Sequence, residues 1–277
     1  MTYRLAVLQF PGSNCEYETA KAAHAVGFNV DIIRWTVSKD AFHRYDAYIL
    51  PGGFSFQDRV RSGAISAKLP VMGFLEQASE KGKPILGICN GCQILAESGL
   101  VPDTHSDHGI QMGMAPNSRD DNPNGFICDW VYVKVQGPTD NLFLKGFAEG
   151  EVLPIPINHG EGRFIFPEGH EGEIASLSRL VFCSADGVVS SQFPINPNGA
   201  MHNIAGLSNR NGNVFAMMPH PERSTFLRQI PGWLQTPWVD KKRQAFASGQ
   251  DGVGAWFRFF QSMHTYVSTR EVGHAVR

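Results

Sequence analysis

A short apolar run, Ile85-Leu86-Gly87-Ile88, passes without a spacer into Cys89-Asn90-Gly91 and a stretch of helical character. A strand that turns straight into a helix crowds the residue at the turn, so the positions two before and two after it favour residues with no Cβ. Glycine stands at both, Gly87 and Gly91. This is the form of a nucleophile elbow, with cysteine in the place of serine. The helix N-terminus that follows favours thiolate over thiol, so the pattern predicts an exposed, reactive Cys89. The competing reading is a buried strand-end cysteine beside ordinary turn glycines.

The flanking sequence agrees with an elbow set in an α/β sheet. Residues 4–10, 29–35, 47–50 and 84–88 read as strands, and 16–26, 62–79 and 90–97 as helices. Such alternation predicts a mostly parallel sheet flanked by helices. Residues 130–218 are strand-rich, ending in a strand over 214–218, and an aromatic helix over 255–267 follows. Two polar or irregular stretches, 102–125 and 223–252, read as surface excursions. The second carries Phe226, Trp233, Trp238 and Phe246, either a partner-facing patch or packing over the chain's own core. With 42% hydrophobic residues over 277 positions, the expectation is one domain, 1–277.

Composition removes several functions. A formal charge of -2 supplies no basic field for nucleic acid or an acidic membrane surface. The apolar stretch within residues 1–12 is too short for a signal peptide or a spanning helix, so a cytoplasmic location is expected. Five scattered cysteines, Cys15, Cys89, Cys92, Cys128 and Cys183, read as reduced thiols rather than a disulfide framework. No Gly-x-x-x-x-Gly-Lys-Ser/Thr loop is present for ATP phosphates.

Cys89-x-x-Cys92 leaves two rivals to the elbow, a thiol redox pair and half of a zinc site. His105 and His108 would complete a two-Cys, two-His set, but their gap is one residue short of the usual finger. Cys92 shares a helix side with Leu95 and Ala96, which favours core packing over redox work. No metal is expected.

An acyl-transfer thiol needs a base, and Pro219-His220-Pro221-Glu222, just after a strand, supplies the candidate. The prolines bias the backbone towards extension, so Glu222 can orient the His220 imidazole. A solvated His-Glu pair in a proline-rich loop is the bland alternative. Pro51-Gly52-Gly53-Phe54, after another strand, offers amides that could join that of Asn90 around an oxyanion.

With these residues in place the chain resembles the class I glutamine amidotransferases, in which elbow, Gly-Gly loop and His-x-Glu pair serve one site. Within that class it is similar to the glutaminase-subunit family of phosphoribosylformylglycinamidine synthase. The matching motifs are Gly12-Ser13-Asn14-Cys15, Pro51-Gly52-Gly53-Phe54-Ser55-Phe56, Gly63-Ala64-Ile65, Gly87-Ile88-Cys89-Asn90-Gly91-Cys92-Gln93, His159-Gly160-Glu161-Gly162, Asn196-Pro197-Asn198-Gly199 and Met218-Pro219-His220-Pro221-Glu222-Arg223. The resemblance implies a flavodoxin-like sheet, Cys89 as nucleophile, His220 as base and Glu222 as its orienter. It implies oxyanion amides from Gly53, Phe54 and Asn90, and a glutamine pocket involving Gly52, Gln93, Asn158, His159 and Gly160. It further implies no cofactor in this chain, a large synthetase subunit that uses ATP and Mg, and a small third subunit. The chain departs from the family pattern in being longer over 102–125 and 223–252.

Other readings stay open on the residues alone: a cysteine peptidase or chaperone-like relative, a silent binding module, or the glutaminase of a different synthetase. The stretch 196–199 followed by Ile204-Ala205-Gly206 argues against the last.

Overall fold

The computed structural model describes residues 2–104, 109–118, 125–137, 139 and 141–274, the side chains of 271–274 excepted. The β-α-β opening forms as β1 (Arg4–Gln9), α1 (Glu16–Ala25) and β2 (Asn29–Arg34). It continues through α2 (Lys39–Phe42), β3 (Ala47–Leu50), α3 (Pro70–Glu80), β4 (Ile85–Ile88) and α4 (Asn90–Ser98). The helix expected over 62–79 is shorter at its start, with only a single 3₁₀ turn, Ser66–Lys68, before Pro70. Leu69 precedes a proline and is extended, at φ -81° and ψ 151°, so the α-helix starts at Pro70, whose missing N–H costs nothing there.

The strand-rich second half comprises β5 (Gly113–Ala115), β6 (Ile127–Val135), β7 (Val152–His159), β8 (Arg163–Ile165), β9 (Ser178–Cys183), β10 (Ile204–Ser208) and β11 (Val214–Met217). A short helix, α5 (Glu171–Ser176), interrupts it, and α6 (Pro237–Ala247) and α7 (Phe257–His274) close the chain. Nine strands form one sheet in the order β2-β1-β3-β4-β11-β10-β9-β6-β7. The first five strands of that order are parallel, and from β11 outward the pairing is antiparallel. β5 and β8 pair as a separate two-stranded sheet.

Strands β3, β4 and β11 run side by side, with Gly87 opposite both Leu50 and Ala216. Their carboxyl ends therefore release the 51–54 loop, Cys89 and the 218–222 segment at one place, where open α/β sheets bind ligands. Both faces of these strands are covered, and β3 and β4 are buried along their whole length. Trp256, just before α7, and Phe259 and Phe260 within it are fully buried in the core, and the Trp256 indole N–H donates to Pro154 O at 3.0 Å.

In the 223–252 stretch, Leu227, Ile230, Leu234 and Val239 form a small apolar cluster against Trp130, Tyr132 and Trp238, whereas Trp233 and Phe246 face outward, 67% and 50% exposed. Within 102–125, β5 and the buried Asn117 belong to the fold, while 105–108 and 119–124 lie outside the described residues. His105 and His108, invoked for zinc, are among the latter. Among the described residues no helix is long and apolar enough to cross a membrane.

Candidate active site

Cys89 sits at the turn between β4 and α4 with φ 52° and ψ -106°, a conformation that costs a non-glycine residue about 1–3 kcal/mol. The surrounding structure enforces it. A Cβ on Gly87 would lie 2.6 Å from Gly91 O, and one on Gly91 would lie 2.0 Å from Leu50 O. Both glycines are thus required by contact as well as by the turn. The Cys89 N–H donates to Met217 O at 2.8 Å, which pins the elbow to β11.

The thiol is more enclosed than expected: Cys89 is 6% exposed. Its Sγ points to Asn158 O at 3.5 Å, and the Gly52 backbone lies on the other side. Exposure was expected because the elbow projects its side chain from the sheet; the loops from β3 and β7 then cover it. Cys92 is fully buried and desolvation holds its thiol well above the ordinary range, so it packs in the core and is unsuited to redox exchange.

His220 and Glu222 form a buried pair, with Nδ1 and Oε1 2.6 Å apart. Burial opposes protonation of the ring, but the Glu222 carboxylate, with the Cys89 and Cys15 sulfurs, outweighs it and holds the His220 pKa well above its usual value. The backbone is fixed as well, because His220 N–H donates to Pro156 O at 2.9 Å. His220 Nε2 makes no hydrogen bond within normal geometry, nor does Glu222 Oε2, although both are buried. An unspent ring nitrogen beside a thiol is what proton transfer to and from substrate requires.

The glycine loop lies directly over this pair. A Cβ on Gly52 would lie 2.9 Å from His220 Cε1 and 3.4 Å from Cys89 Cβ. Gly53 adopts φ +151°, and its own Cβ would meet Ser13 Cα at 2.7 Å. It faces Ser13 in a short antiparallel bridge whose hydrogen bonds run from Asn14 N to Gly52 O and from Phe54 N to Gly12 O. Gly53 is the non-bonded member of that bridge, so its N–H is directed away from the 11–15 segment. The Phe54 amide, expected among the oxyanion donors, is instead donated to Gly12 O at 2.9 Å. Asn90 lies in the first turn of α4, where helix amides have no intrahelical partner.

The expected pocket residues divide. Gly52 and the Asn158 carbonyl lie beside the thiol. Gln93 is buried, with Oε1 accepting from Asn90 Nδ2 at 2.9 Å and Nε2 donating to Glu161 O at 2.6 Å. His159 turns inward, Nδ1 3.0 Å from Asn117 Oδ1, and burial, then the charge of His220, pushes its pKa down to about 3, so it is neutral. Gly160 O receives Asn117 N–H at 2.8 Å. Asn117 was not singled out from the sequence, because nothing in 102–125 separates it from other turn residues.

Cys15, another residue absent from the expected set, is buried beside the pair. Its sulfur, a His220 ring nitrogen and a Glu222 oxygen all lie within 4.8 Å of one another. Such a trio could hold a metal ion, but Arg223 Nη2 donates to Cys15 Sγ at 3.0 Å and the imidazole is already paired with the carboxylate, which suits a catalytic pair better.

A thiol elbow beside a buried imidazole–carboxylate pair is the arrangement that nucleophilic thiol chemistry requires, and comparison with known proteins specifies the class of enzyme. Residues 2–267 match the CobB/CobQ-like glutamine amidotransferase domain, and the chain belongs to that family of glutamine amidotransferases. The phosphoribosylformylglycinamidine synthase subunit PurQ of Methanothrix thermoacetophila is 38% identical over 96% of this chain and 99% of its own. PurQ of Methanopyrus kandleri is 41% identical over 80% of this chain and 89% of its own. Among solved structures, PurLQS from Thermotoga maritima aligns with TM-score 0.65 and 32% identity over 90% of this chain and 99% of that one.

Proposed function

We propose that this chain is the glutaminase subunit of phosphoribosylformylglycinamidine synthase, releasing ammonia from glutamine for a synthetase partner. The observation that carries the reading is the buried His220–Glu222 pair beside a thiol at a left-handed elbow, in a chain similar to PurQ along nearly its whole length.

In this reading the Cys89 thiolate attacks the side-chain amide carbon of glutamine, and the oxyanion is received by the Gly53 and Asn90 amides. His220, held protonated by Glu222, gives its proton to the departing nitrogen, leaving a γ-glutamyl thioester. Water, deprotonated by the now neutral ring, then releases glutamate. Gly52, Asn158 and Gly160 offer backbone to the substrate, while Gln93, whose amide is bonded inside the protein, and His159, whose Nδ1 is bonded to Asn117, shape the wall of the pocket.

ATP and Mg belong to the large synthetase subunit, since this sequence has no phosphate loop of the Gly-Lys-Ser/Thr form. A small third subunit completes the assembly, as the name PurLQS indicates for the Thermotoga maritima complex. The whole chain acts as one amidotransferase domain in the reducing cytosol, and its five free cysteines suit that compartment.

Steady-state ammonia release tests the proposal. The isolated chain should hydrolyse glutamine slowly, and the synthetase partner with ATP and formylglycinamide ribonucleotide should raise the rate. Full activity that the partner leaves unchanged would indicate a free-standing glutaminase, and none under any condition a silent module.

A further inference from the structure

Gly12-Ser13-Asn14-Cys15 takes no part in the steps above, yet each of its residues touches the catalytic machinery. Asn14 and Cys15 both donate backbone N–H groups to Gly52 O, at 3.3 and 3.2 Å. Gly12 O and Pro11 O receive the amides of Phe54 and Phe56, at 2.9 and 2.7 Å. Gly12 is at φ +95°, and a Cβ there would lie 2.2 Å from Phe54 O. The turn and the oxyanion loop are therefore in backbone contact along their length.

Cys15 makes the second attachment. Its thiol donates to Asn14 Oδ1 at 3.1 Å and its sulfur accepts from Arg223 Nη2 at 3.0 Å, so both hydrogen-bonding capacities are used and the side chain is fixed. Arg223 is itself held by Glu18 at 3.1 Å and lies 3.8 Å from Glu222 Oε1. The sulfur would be 3.0 Å from a Cβ on Gly52, in the same gap that His220 Cε1 borders at 2.9 Å. It thus fills the space between the oxyanion loop and the imidazole.

We propose that the 11–15 turn is the positioning element that sets the oxyanion loop against the acid–base histidine, with Cys15 the residue that joins the two. Cys15 does not touch the reacting atoms; it is a positioning residue, and this role rests on the glutaminase reading given above. Burial raises its thiol pKa, so it acts as a neutral group of fixed orientation and not as a second nucleophile. The groups that face His220 are Glu222, the Cys89 and Cys15 sulfurs, Arg223 beyond Cys15, and the neutral His159. Of these, Glu222 does most to favour the charged ring, Cys89 follows, and Cys15 adds to them. Removing Cys15 should let the imidazolium lose its proton at lower pH.

The test is glutamine-dependent ammonia release by the complex with its synthetase partner, measured across pH together with thermal unfolding, for the parent, Cys89→Ser, Cys15→Ala and Cys15→Ser. An active parent and an inactive Cys89→Ser establish the glutaminase reading independently of Cys15. Cys15→Ala should then lose about ten- to a hundredfold in kcat with the glutamine KM within about threefold, because a misplaced oxyanion loop penalises the transition state more than binding. Its high-pH limb should move to lower pH, and Cys15→Ser, which keeps both hydrogen bonds, should recover most of the rate. Parental kcat and profile in Cys15→Ala would overturn the proposal. So would a loss of kcat with an unmoved pH limb and a lowered unfolding midpoint, since that pattern describes packing alone.

Discussion

Between Gly91 and the carbonyl of Leu50 there is no room for a methyl group, since a Cβ on Gly91 would lie 2.0 Å from that oxygen. The contact closes α4 onto β3 and holds Cys89 at its positive φ. Gly91→Ala should therefore act on structure and chemistry together. Overpacking of this kind costs about 1–3 kcal/mol, and relief by backbone movement would carry the elbow away from His220. Urea unfolding should show the lower stability, and ammonia release should be lost along with it. A stable, fully active Gly91→Ala would mean that the elbow does not depend on this contact.

The five free cysteines differ enough in setting to be told apart chemically. A glutamine-mimicking electrophile should label Cys89 and leave Cys15, Cys92, Cys128 and Cys183 largely untouched, because only Cys89 stands at the elbow, whereas Cys15, although also beside His220 and at the start of α1, is held as a buried thiol with its pKa raised. A small unspecific reagent should behave differently. Cys128 is exposed and should react with it, whereas Cys92 is fully buried with its thiol pKa raised. Peptide mass mapping reads both patterns. Labelling of Cys92 by the glutamine mimic at a rate comparable to Cys89 would bring back the thiol-pair reading.

How far the sequence discloses the site follows from which forces are local. Gly87, Cys89 and Gly91 declare the elbow because steric demands on a strand-to-helix turn are met within five residues. Pro219-His220-Pro221-Glu222 is legible for the same reason: alternate residues on an extended segment share a side. The enclosure of Cys89 is not, because it is made by backbone from β3 and β7, far away in the chain. The Phe54 amide is lost to Gly12 O through a bridge between segments some 40 positions apart, so no local pattern gives it away. Asn117 and Cys15 join the site in the same manner, through long-range contacts that leave no periodic trace. The parallel half of the sheet was readable as βα alternation, but the order in which β6, β7, β9 and β10 extend it depends on pairing across long loops.

Asp58 gives a pH prediction away from the catalytic pair. Burial, opposed by hydrogen bonds from Ser62, Asn90 and Gly63 and reinforced by Glu161, raises its pKa to about 6 from an ordinary 3.8. The folded state therefore binds the Asp58 proton more tightly than the unfolded chain does, and stability linked to this group falls as pH rises from about 4 to beyond 6. Asp58→Asn removes the buried charge and can still accept from Asn90 Nδ2, which is 3.2 Å from Asp58 Oδ1. The variant should be more stable than the parent above pH 6, and the difference should vanish below about pH 4. Urea unfolding at several pH values measures it, and a gain that is equal at all pH values would separate the effect from ionisation.

The roles of His220 and Glu222 should separate on mutation, because a group that moves protons and a carboxylate that orients it are not equally costly to lose. His220→Ala removes an imidazole with an unspent nitrogen next to Cys89, and general acid–base work of this kind is worth about a hundred- to ten-thousandfold in rate. Glu222→Gln should cost less. The amide can still meet the ring at the 2.6 Å position but no longer stabilises its charge, so turnover should drop while glutamine binding changes little. Linkage gives the two variants different pH signatures. The His220 pKa is raised in the folded state, so the stability that its charge confers is fully present below the unfolded value of about 6.5 and is lost as pH rises through the folded one. In Glu222→Gln the folded pKa should fall, and the high-pH limb of turnover should move to lower pH. In His220→Ala that limb should disappear, and alkylation of Cys89 should slow, since the base that takes up its proton is gone. The measurements are turnover and Cys89 alkylation across pH in the partner-bound state for the parent and both variants. Near-parental turnover in His220→Ala with an unmoved alkylation profile would remove His220 from the mechanism and leave Pro219 to Glu222 as a structural loop.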